Sequence, residues 1–215
     1  LQKRMIKMAH EMDKTVITAT HMMESMINNP MPTRAEVSDV ANAVLDGTDA
    51  VMTSAETAAG KFPLETVIEM AGICVAAEAA EEVKLDADFL GKTFSRIDQS
   101  IAMGALFTAY HLGAKAIVAL TDSGSTALWM SRHRVHIPIY ALTPRVSTQR
   151  KMTLFRNVSP LLMDTSADRD TALEQAEKHL KARGIVQSGD VYAITCGEPM
   201  GSPGGTNMLK ICRVA

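Results

Sequence analysis

Hydrophobic and polar positions along the first 80 residues follow helical and strand periods in turn. The pattern predicts helices over about 2–12, 21–27, 34–46 and 64–80, and strands over 15–20 and 49–53. Thr33-x-x-Glu36 opens the third helix as a capping box, and Gly47 follows it as a stop signal. Strands that alternate with helices favour parallel pairing, so this part is expected to be α/β.

The rest of the chain repeats the alternation with longer strands. Helices are predicted over about 98–112, 125–134, 148–156 and 168–183, and strands at KAIVAL, IPIYAL, PLLMD, DVYAIT and LKICRV. No helix separates the last two strands, so we expect four parallel strands and an antiparallel edge strand. The pattern predicts a complete three-layer α/β/α domain with a mostly parallel five-stranded sheet.

The segment between these parts turns acidic from about residue 76 to 97 and loses its apolar period. We therefore predict two domains, 1–75 and 76–215. Two short strands would leave sheet edges unpaired in the first domain. Because the chain also starts at Leu1 and runs directly into a helical pattern, we expect this domain to be the end of a larger sheet or barrel.

Composition narrows the functional classes. The 215 residues are 47% hydrophobic and carry a net charge of −2, which argues against nucleic acid or an anionic membrane as partner. The three cysteines form no C-x-x-C pair, which favours a reduced, cytoplasmic protein. No apolar run reaches the roughly 18 residues of a membrane span, and no signal peptide opens the sequence. Small molecules or protein partners are expected.

Hydroxyl and carboxyl groups follow both strands of the first part. Thr18 and Thr20 end the first strand, while Thr53, Ser54 and Glu56 follow the second. Working groups of parallel α/β proteins lie at this carboxyl edge, which makes these residues site candidates. The alternative is that the hydroxyls only cap the helices that follow. His21 is open to the same two interpretations, as an acid–base group or as a capping or packing residue.

A second candidate site lies in AIVALTDSGSTALWMSRHR, residues 116–134. A buried strand runs into five small or hydroxyl residues at the start of a helix, a pattern that suits a bound phosphate: Thr121, Ser123, Gly124, Ser125 and Thr126. An ordinary capped helix start explains the pattern equally well, because the loop is not a complete nucleotide-binding fingerprint. Arg132, His133 and Arg134 suit either the negative end of this helix or a ligand.

The Gly-rich connection CGEPMGSPGGTN, residues 196–207, is longer than a tight hairpin requires. It either folds over a ligand held by the first loop or is merely flexible. The fifteen methionines, including those in HMMESM, are interpreted as core-filling residues.

Several motifs in the first part closely resemble pyruvate kinase, in the family's order and spacing. They are T-A-T-x-M-x-E-S-M, P-T-R-A-E, D-V-A-N-A-V-L-D-G and S-x-E-T-A-x-G-x-F-P. The likeness continues through the Thr-x-Ser-Gly loop to the G-G-T-N run near the end of the sequence, over essentially the entire chain, and is strongest to bacterial forms that respond to AMP and sugar monophosphates. It implies the last two β/α units of a (β/α)8 TIM barrel followed by the family's C-terminal effector domain.

The resemblance also implies an activity. The family transfers a phosphoryl group from phosphoenolpyruvate to ADP in glycolysis, with Mg²⁺ and usually K⁺, and is an allosteric, cytoplasmic homotetramer. Thr20 matches the substrate-contacting threonine, Ser54 and Glu56 match polar residues that support the barrel mouth, and Arg34 matches a residue near the subunit contact. The family's catalytic lysine, metal ligands and nucleotide-binding residues match no position here, so this segment is expected to be inactive alone.

The family's effector site matches the second candidate site. The resemblance implies a phosphate cradle at Thr121, Ser123, Gly124, Ser125 and Thr126, covered by a loop that includes Gly204, Gly205 and Thr206. His21 and Thr53 depart from the usual Gln and Leu, which puts the packing at the barrel mouth in question. A stand-alone, non-catalytic domain that senses a sugar phosphate or nucleotide remains the alternative to an enzyme.

Overall fold

A computed structural model of the chain describes residues 1–19, 21–80, 93–164, 168–200 and 205–215. The chain forms two compact units, Leu1–Glu82 and Val83–Ala215. The boundary predicted after residue 75 falls inside a helix of the first unit, Pro63–Ala80. No helix in the described parts of the chain is long and apolar enough to cross a membrane.

The first unit is built on a two-stranded sheet. Its elements are α1 (Gln2–Glu11), β1 (Ile17–Thr18), a 3-10 helix (Glu24–Ile27), α2 (Arg34–Leu45), β2 (Ala50–Val51), α3 (Ala55–Ala58) and α4 (Pro63–Ala80). β1 and β2 pair in parallel, as the alternation of strands and helices predicts. Both strands are shorter than predicted, because the ladder is confined to two pairs, Ile17 with Ala50 and Thr18 with Val51.

Local sequence signals and the buried methionines account for the core of this unit. The predicted capping box is present, because Thr33 accepts from the Glu36 N–H while the Glu36 carboxylate accepts from Thr33. Gly47 follows α2 with a positive φ of 96°, which glycine adopts without strain. The core consists of one face of α2, part of α4 and the methionines after β1: Met22, Met23, Met26, Val40, Ala43 and Met70. The assignment of these methionines to the core is confirmed. The same assignment is wrong for five others, which are 46–72% exposed: Met5, Met8, Met12, Met31 and Met52.

The helix predicted over 21–27 is wrong in its first half. Only Glu24–Ile27 is helical, as a single 3-10 turn. His21 has a φ of 50°, in the left-handed region that a right-handed helix excludes. The short helix α3 has no counterpart in the prediction, because one turn is too short for a recognisable apolar period.

The second unit contains a mixed five-stranded sheet. Its elements are α5 (Ile97–Leu112), β3 (Ala116–Leu120), α6 (Ser125–Ser131), β4 (Ile139–Thr143), α7 (Val146–Met152), β5 (Val158–Leu162), α8 (Arg169–Ala182), β6 (Val191–Gly197) and β7 (Thr206–Arg213). The strand order is β5-β4-β3-β6-β7. The pairs among β5, β4, β3 and β6 are parallel, and β7 is an antiparallel edge strand, both as predicted.

Alternate residues of the central strands enter two separate hydrophobic clusters. Ile117 and Ala119 of β3 pack in a cluster with α5 and α6. Val118 and Leu120 pack in the other cluster with α8. Because successive side chains of a strand point to opposite faces, both faces of the sheet contribute to the core.

Helix α6 ends three residues before its predicted end. The chain leaves the helix at Arg132, and Val135 is buried in the core cluster that contains α5. Asn157 then donates hydrogen bonds to the carbonyl oxygens of Val135 and Ile137, both at 2.8 Å. These contacts keep the backbone before β4 non-helical. The local pattern of residues 125–134 gives no sign of them, because Asn157 is distant in sequence.

Candidate functional site

The first candidate site lies where the parallel strands β1 and β2 end. Thr20 lies outside the described residues. The Thr18 hydroxyl donates to the Thr48 hydroxyl at 2.9 Å, and Thr48 in turn reaches the carbonyl oxygens of Val16 and Ala50. Thr18 therefore belongs to a polar link between the two strands.

Glu56 is the most deeply buried charged group of this site. Its side chain belongs to α3, and the residue is 2% exposed. One carboxylate oxygen accepts from the Ser54 N–H at 2.7 Å, and the other accepts from the Met23 N–H at 3.1 Å. Burial by itself would raise the pKa of Glu56, but backbone N–H groups and the neighbouring His21 hold it below its usual value. Glu56 thus joins the end of β2 to the segment after position 20.

The remaining candidates of this site lie nearer the surface. Ser54 precedes α3 and is exposed, and its side chain makes no capping hydrogen bond. The two departures from the family pattern find partners close in sequence. His21 Nδ1 lies 2.5 Å from a Glu24 carboxylate oxygen, and the hydroxyls of Thr53 and Thr57 lie 2.9 Å apart. Each of these polar side chains is accommodated by a neighbour within four residues.

A second carboxylate, that of Glu36, binds the segment after β1 at Ser25. Glu36 accepts from the Ser25 N–H at 2.6 Å and the Ser25 hydroxyl at 2.5 Å, besides its capping bonds to Thr33. Desolvation opposes ionisation, yet the hydrogen bonds from Ser25 and Thr33 lower the pKa of Glu36 overall. Arg34 is exposed in the first turn of this helix. Sequence patterns identified the capping box but not its link to Ser25.

The second candidate site is the loop between β3 and α6. Thr121 is buried, and its hydroxyl accepts from the Gly124 N–H at 2.9 Å. Gly124 has a φ of 82°, and a Cβ there would lie 3.0 Å from Met152 Cγ. Both its conformation and the neighbouring side chain therefore favour glycine at this position. The loop closes tightly over α7.

The hydroxyls of this loop fall into two groups. Ser123 is exposed, and its hydroxyl lies 3.0 Å from that of Ser125. The Thr126 hydroxyl is buried and lies 2.9 Å from that of Thr206, which begins β7. The structure thus brings the β3–α6 loop and the end of the Gly-rich connection together, although 80 positions separate the two threonines.

The Gly-rich connection is anchored at both ends. The Asn207 side chain accepts from the Glu198 N–H at 2.9 Å and donates to the Glu198 carbonyl oxygen at 2.8 Å. A Cβ at Gly197 would lie 2.8 Å from the carbonyl oxygen of Gly205, so the backbones approach closely here. Gly204 lies outside the described residues. Asn207 and Gly197 are not among the candidates from the sequence, although Asn207 directly follows the candidate Thr206.

Helix α7 supplies a charged anchor that the sequence patterns did not indicate. Arg145 Nε donates to an Asp122 carboxylate oxygen at 2.5 Å. The Thr148 hydroxyl donates to the Asp122 carbonyl oxygen at 2.8 Å. The Arg145 side chain remains 60% exposed, compared with 19% for Asp122. Asp122 is therefore held by both its side chain and its backbone in the middle of the hydroxyl-rich loop.

A separate cleft of about 610 Å³ lies between α8 and the strands β6 and β7. The Tyr192 hydroxyl donates to Glu177 at 3.1 Å in this cleft. Burial, with the neighbouring Cys212 and Glu177, raises the pKa of Tyr192. Lys178, Lys181 and Lys210 also line it. No candidate from the sequence lies there.

Among the residues that the structure describes, no group of three or more His, Cys, Asp or Glu side chains is placed to hold a metal ion.

Comparison with known proteins accounts for both units. The family model for the pyruvate kinase barrel domain matches residues 1–67, and the model for the pyruvate kinase alpha/beta domain matches residues 99–212. Pyruvate kinase II of Salmonella typhimurium is 46% identical over all 215 residues, which make up 45% of that protein. Pyruvate kinase of Haemophilus influenzae is 44% identical over 99% of this chain and 44% of its own length.

A solved structure agrees with these matches. The crystal structure of a pyruvate kinase from Cryptosporidium parvum covers 100% of this chain with a TM-score of 0.89 and 33% identity, over 43% of its own length. The chain thus spans somewhat less than half the length of the curated relatives named above.

Proposed function

The chain belongs to the pyruvate kinase family, and on that premise we propose that it is the C-terminal portion of an enzyme that makes pyruvate and ATP from phosphoenolpyruvate and ADP. The observation that carries this proposal is the match of both family domains, in order, to residues 1–67 and 99–212. The first unit would supply the last two β/α units of a (β/α)8 barrel. The second would be the three-layer α/β/α effector domain, which begins after α4.

In the first unit, Thr20 is the proposed substrate contact. Its hydroxyl would position the phosphoenolpyruvate or pyruvate end of the reacting pair and order the path of the proton that reaches the enolate carbon. Glu56 supports this role indirectly, because its carboxylate holds the Met23 and Ser54 backbones on either side of the strand ends. Ser54 would complete the polar rim of the barrel mouth.

The groups that stabilise charge during phosphoryl transfer are proposed to lie in a barrel segment outside this chain. Transfer from phosphoenolpyruvate requires cationic groups at the phosphoryl oxygens and at the enolate that is left behind. In the complete enzyme, Mg²⁺ and K⁺ would contribute to that charge. Residues 1–215 alone are therefore expected to be inactive.

In the second unit, the β3–α6 loop is proposed to bind the phosphate of an allosteric effector, a sugar monophosphate or AMP. Ser123 and Ser125 are the proposed ligand contacts, since Ser123 is exposed and the two hydroxyls lie together. Thr121, Gly124, Thr126 and Thr206 would shape the loop, because their groups are occupied by internal bonds. Gly204 and Gly205 would lie in the covering connection.

A coupled assay for pyruvate formation tests the catalytic proposal. The chain alone should show no turnover above background, and the chain joined to the missing barrel segment should show phosphoenolpyruvate- and ADP-dependent turnover. Turnover by the chain alone would contradict the assignment of the charge-stabilising groups. Failure of the joined protein, if folded, would favour a non-catalytic sensing domain.

Thermal stabilisation tests the effector site. A ligand that binds only the native state raises the unfolding midpoint, so ribose 5-phosphate, AMP and fructose 1,6-bisphosphate should be compared. At least one should raise the midpoint, and Ser123→Ala should reduce that response. An unchanged response in this variant would remove the serine contact from the proposal.

The wider assembly is proposed from the family to be a cytoplasmic homotetramer, with Arg34 near a subunit contact. Light scattering of wild type and of Arg34→Ala tests this assembly.

A further inference from the structure

The loop proposed to bind a phosphate contains a carboxylate at its centre. Asp122 lies between Thr121 and Ser123, next to the hydroxyls that would contact the anion. A like charge within a few ångströms of a phosphate disfavours binding, and the penalty grows where solvent is partly excluded. A site for a phosphate dianion at this loop therefore needs a means of neutralising Asp122.

Arg145 is placed to do this. Its Nε donates to the Asp122 carboxylate at 2.5 Å, and the Asp122 side chain is only 19% exposed. The pair is set by the turn from β4 into α7, because the Arg145 N–H donates to the Thr143 hydroxyl at 3.3 Å and the Thr148 hydroxyl donates to the Asp122 carbonyl oxygen. Asp122 thus lies in one position, with its charge directed at a guanidinium that cannot lose its proton at any physiological pH.

We infer that Arg145 is a positioning residue of the effector site, which neutralises Asp122 and so makes the β3–α6 loop electrostatically acceptable to a phosphate. This inference rests on the proposed effector site. The ion pair turns a locally acidic loop into a neutral one whose remaining polar groups are hydroxyls and backbone N–H groups. Arg145 acts here through Asp122 and not by contact with the ligand.

A double-mutant cycle on Asp122 and Arg145 tests the inference, with ribose 5-phosphate as probe and the full chain in low salt. Arg145→Gln should raise the ligand dissociation constant about fivefold, the scale of one exposed charge pair, and the loss should shrink at high salt. Asp122→Asn should bind at least as well as wild type. The double variant, Asp122→Asn with Arg145→Gln, should recover wild-type binding, because no carboxylate is left to neutralise.

Arg150→Gln is the matched control, since Arg150 is exposed in α7, the helix that Arg145 precedes, and its loss changes the net charge equally. It should leave the dissociation constant nearly unchanged. The inference is overturned if the double variant binds as weakly as Arg145→Gln, which would indicate direct contact with the ligand. It is also overturned if Arg145→Gln binds as tightly as Arg150→Gln. If wild type binds none of the three effectors, the proposed effector site itself fails. Unfolding midpoints without ligand verify that each variant is folded.

Discussion

The two candidate sites differ in the groups that hold them together: buried or half-buried carboxylates bind backbone N–H groups in the first unit, whereas hydroxyl groups make most of the contacts in the β3–α6 loop of the second unit. Glu56 accepts hydrogen bonds from the Met23 and Ser54 N–H groups, and Glu36 accepts from those of Ser25 and Thr33. In the β3–α6 loop, the corresponding contacts join Thr126 to Thr206 and Thr121 to the Gly124 N–H. Carboxylates titrate in the ordinary pH range and hydroxyls do not, so acid should weaken the contacts of Glu56 and Glu36 and leave the contact between Thr126 and Thr206 in place.

The units also differ in how much apolar surface they bury. The second unit packs hydrophobic side chains against both faces of its sheet. In the first unit, α4 leaves Leu64, Val67, Ile68 and Val75 between 54% and 66% exposed. An exposed apolar stripe of this kind would be covered by the barrel segment proposed above. We therefore expect the second unit to be the more stable of the two.

The fluorescence of Trp129 allows the stability of the second unit to be measured separately. It is the only tryptophan in the chain and belongs to the second unit, so its fluorescence reports the unfolding of that unit. Far-UV circular dichroism follows both units together. Separate transitions in the two signals would show that the units unfold independently.

The largest expected effect is a cavity in the second unit. Leu106 of α5 is fully buried, so Leu106→Ala should lower the free energy of unfolding by about 2–5 kcal/mol. Leu112, at the end of the same helix, is 53% exposed, and Leu112→Ala is expected to cost about 0.5 kcal/mol or less. Urea unfolding followed by Trp129 fluorescence checks both values. Equal losses in the two variants would contradict the account of the core.

Substitution of two glycines in the second unit distinguishes the cost of backbone strain from the cost of a close side-chain contact. Gly113 and Gly124 both have positive φ, but only Gly124 has a side chain within 4 Å of an added Cβ. Gly113→Ala should cost about 1–2 kcal/mol through strain alone. Gly124→Ala should cost about 1 kcal/mol more, since Met152 must also move. Similar costs, measured by the same fluorescence, would mean that the Met152 contact is unimportant.

A charge-removing change in the first unit tests the role of carboxylates. In Glu56→Gln, one of the two backbone N–H groups faces the side-chain amide nitrogen, which cannot accept a hydrogen bond. This should lower the free energy of unfolding by about 1–3 kcal/mol at pH 7. The folded-state pKa of Glu56 lies below its usual 4.5, so its contribution is present above that pH and is lost as the pH falls through the folded value. The difference in free energy of unfolding between wild type and Glu56→Gln should therefore become smaller in acid. A constant difference from pH 7 to pH 3, by circular dichroism, would contradict this.

The smallest expected effect is the loss of a helix cap. Thr33→Ala removes the hydroxyl that accepts from the Glu36 N–H and should cost about 1 kcal/mol. Thr33→Ser keeps the hydroxyl and should remain within about 0.5 kcal/mol of wild type. The change should alter the circular dichroism transition and leave the Trp129 transition in place. A shift of the Trp129 transition would mean that the units unfold together.

The comparison extends to what could be predicted from residues alone. Helices α1, α2, α4, α5 and α8 were placed within one or two residues, because each has an apolar period and a recognisable start or end. The predictions for the 3-10 helix, for α6 and for the end of α7 are too long. In the first two, the limit is set by a contact from elsewhere in the chain: Met23 is held by Glu56, and Val135 by Asn157.

In the candidate sites, too, local patterns identify the residues, whereas contacts between distant residues are not predicted. The five loop residues from Thr121 to Thr126 were identified by their type and by their place between a strand and a helix. The partners that shape this loop were not, because Arg145 lies 23 positions from Asp122 and Thr206 lies 80 positions from Thr126. No local pattern marks a pair at such separations.

The amino-acid sequence by itself determined the order of the strands and of the helices other than α3, the parallel pairing with an antiparallel edge, the capping box and the hydroxyl-rich loop. These depend on periodicity and on neighbours within about four residues, which the chain carries wherever it folds. The tertiary structure alone decided which hydroxyls are buried, that Glu56 holds the Met23 backbone, and that Arg145 neutralises Asp122. Such contacts arise only when distant segments pack, because hydrogen bonds and ion pairs form over distances of a few ångströms in space, independent of sequence separation.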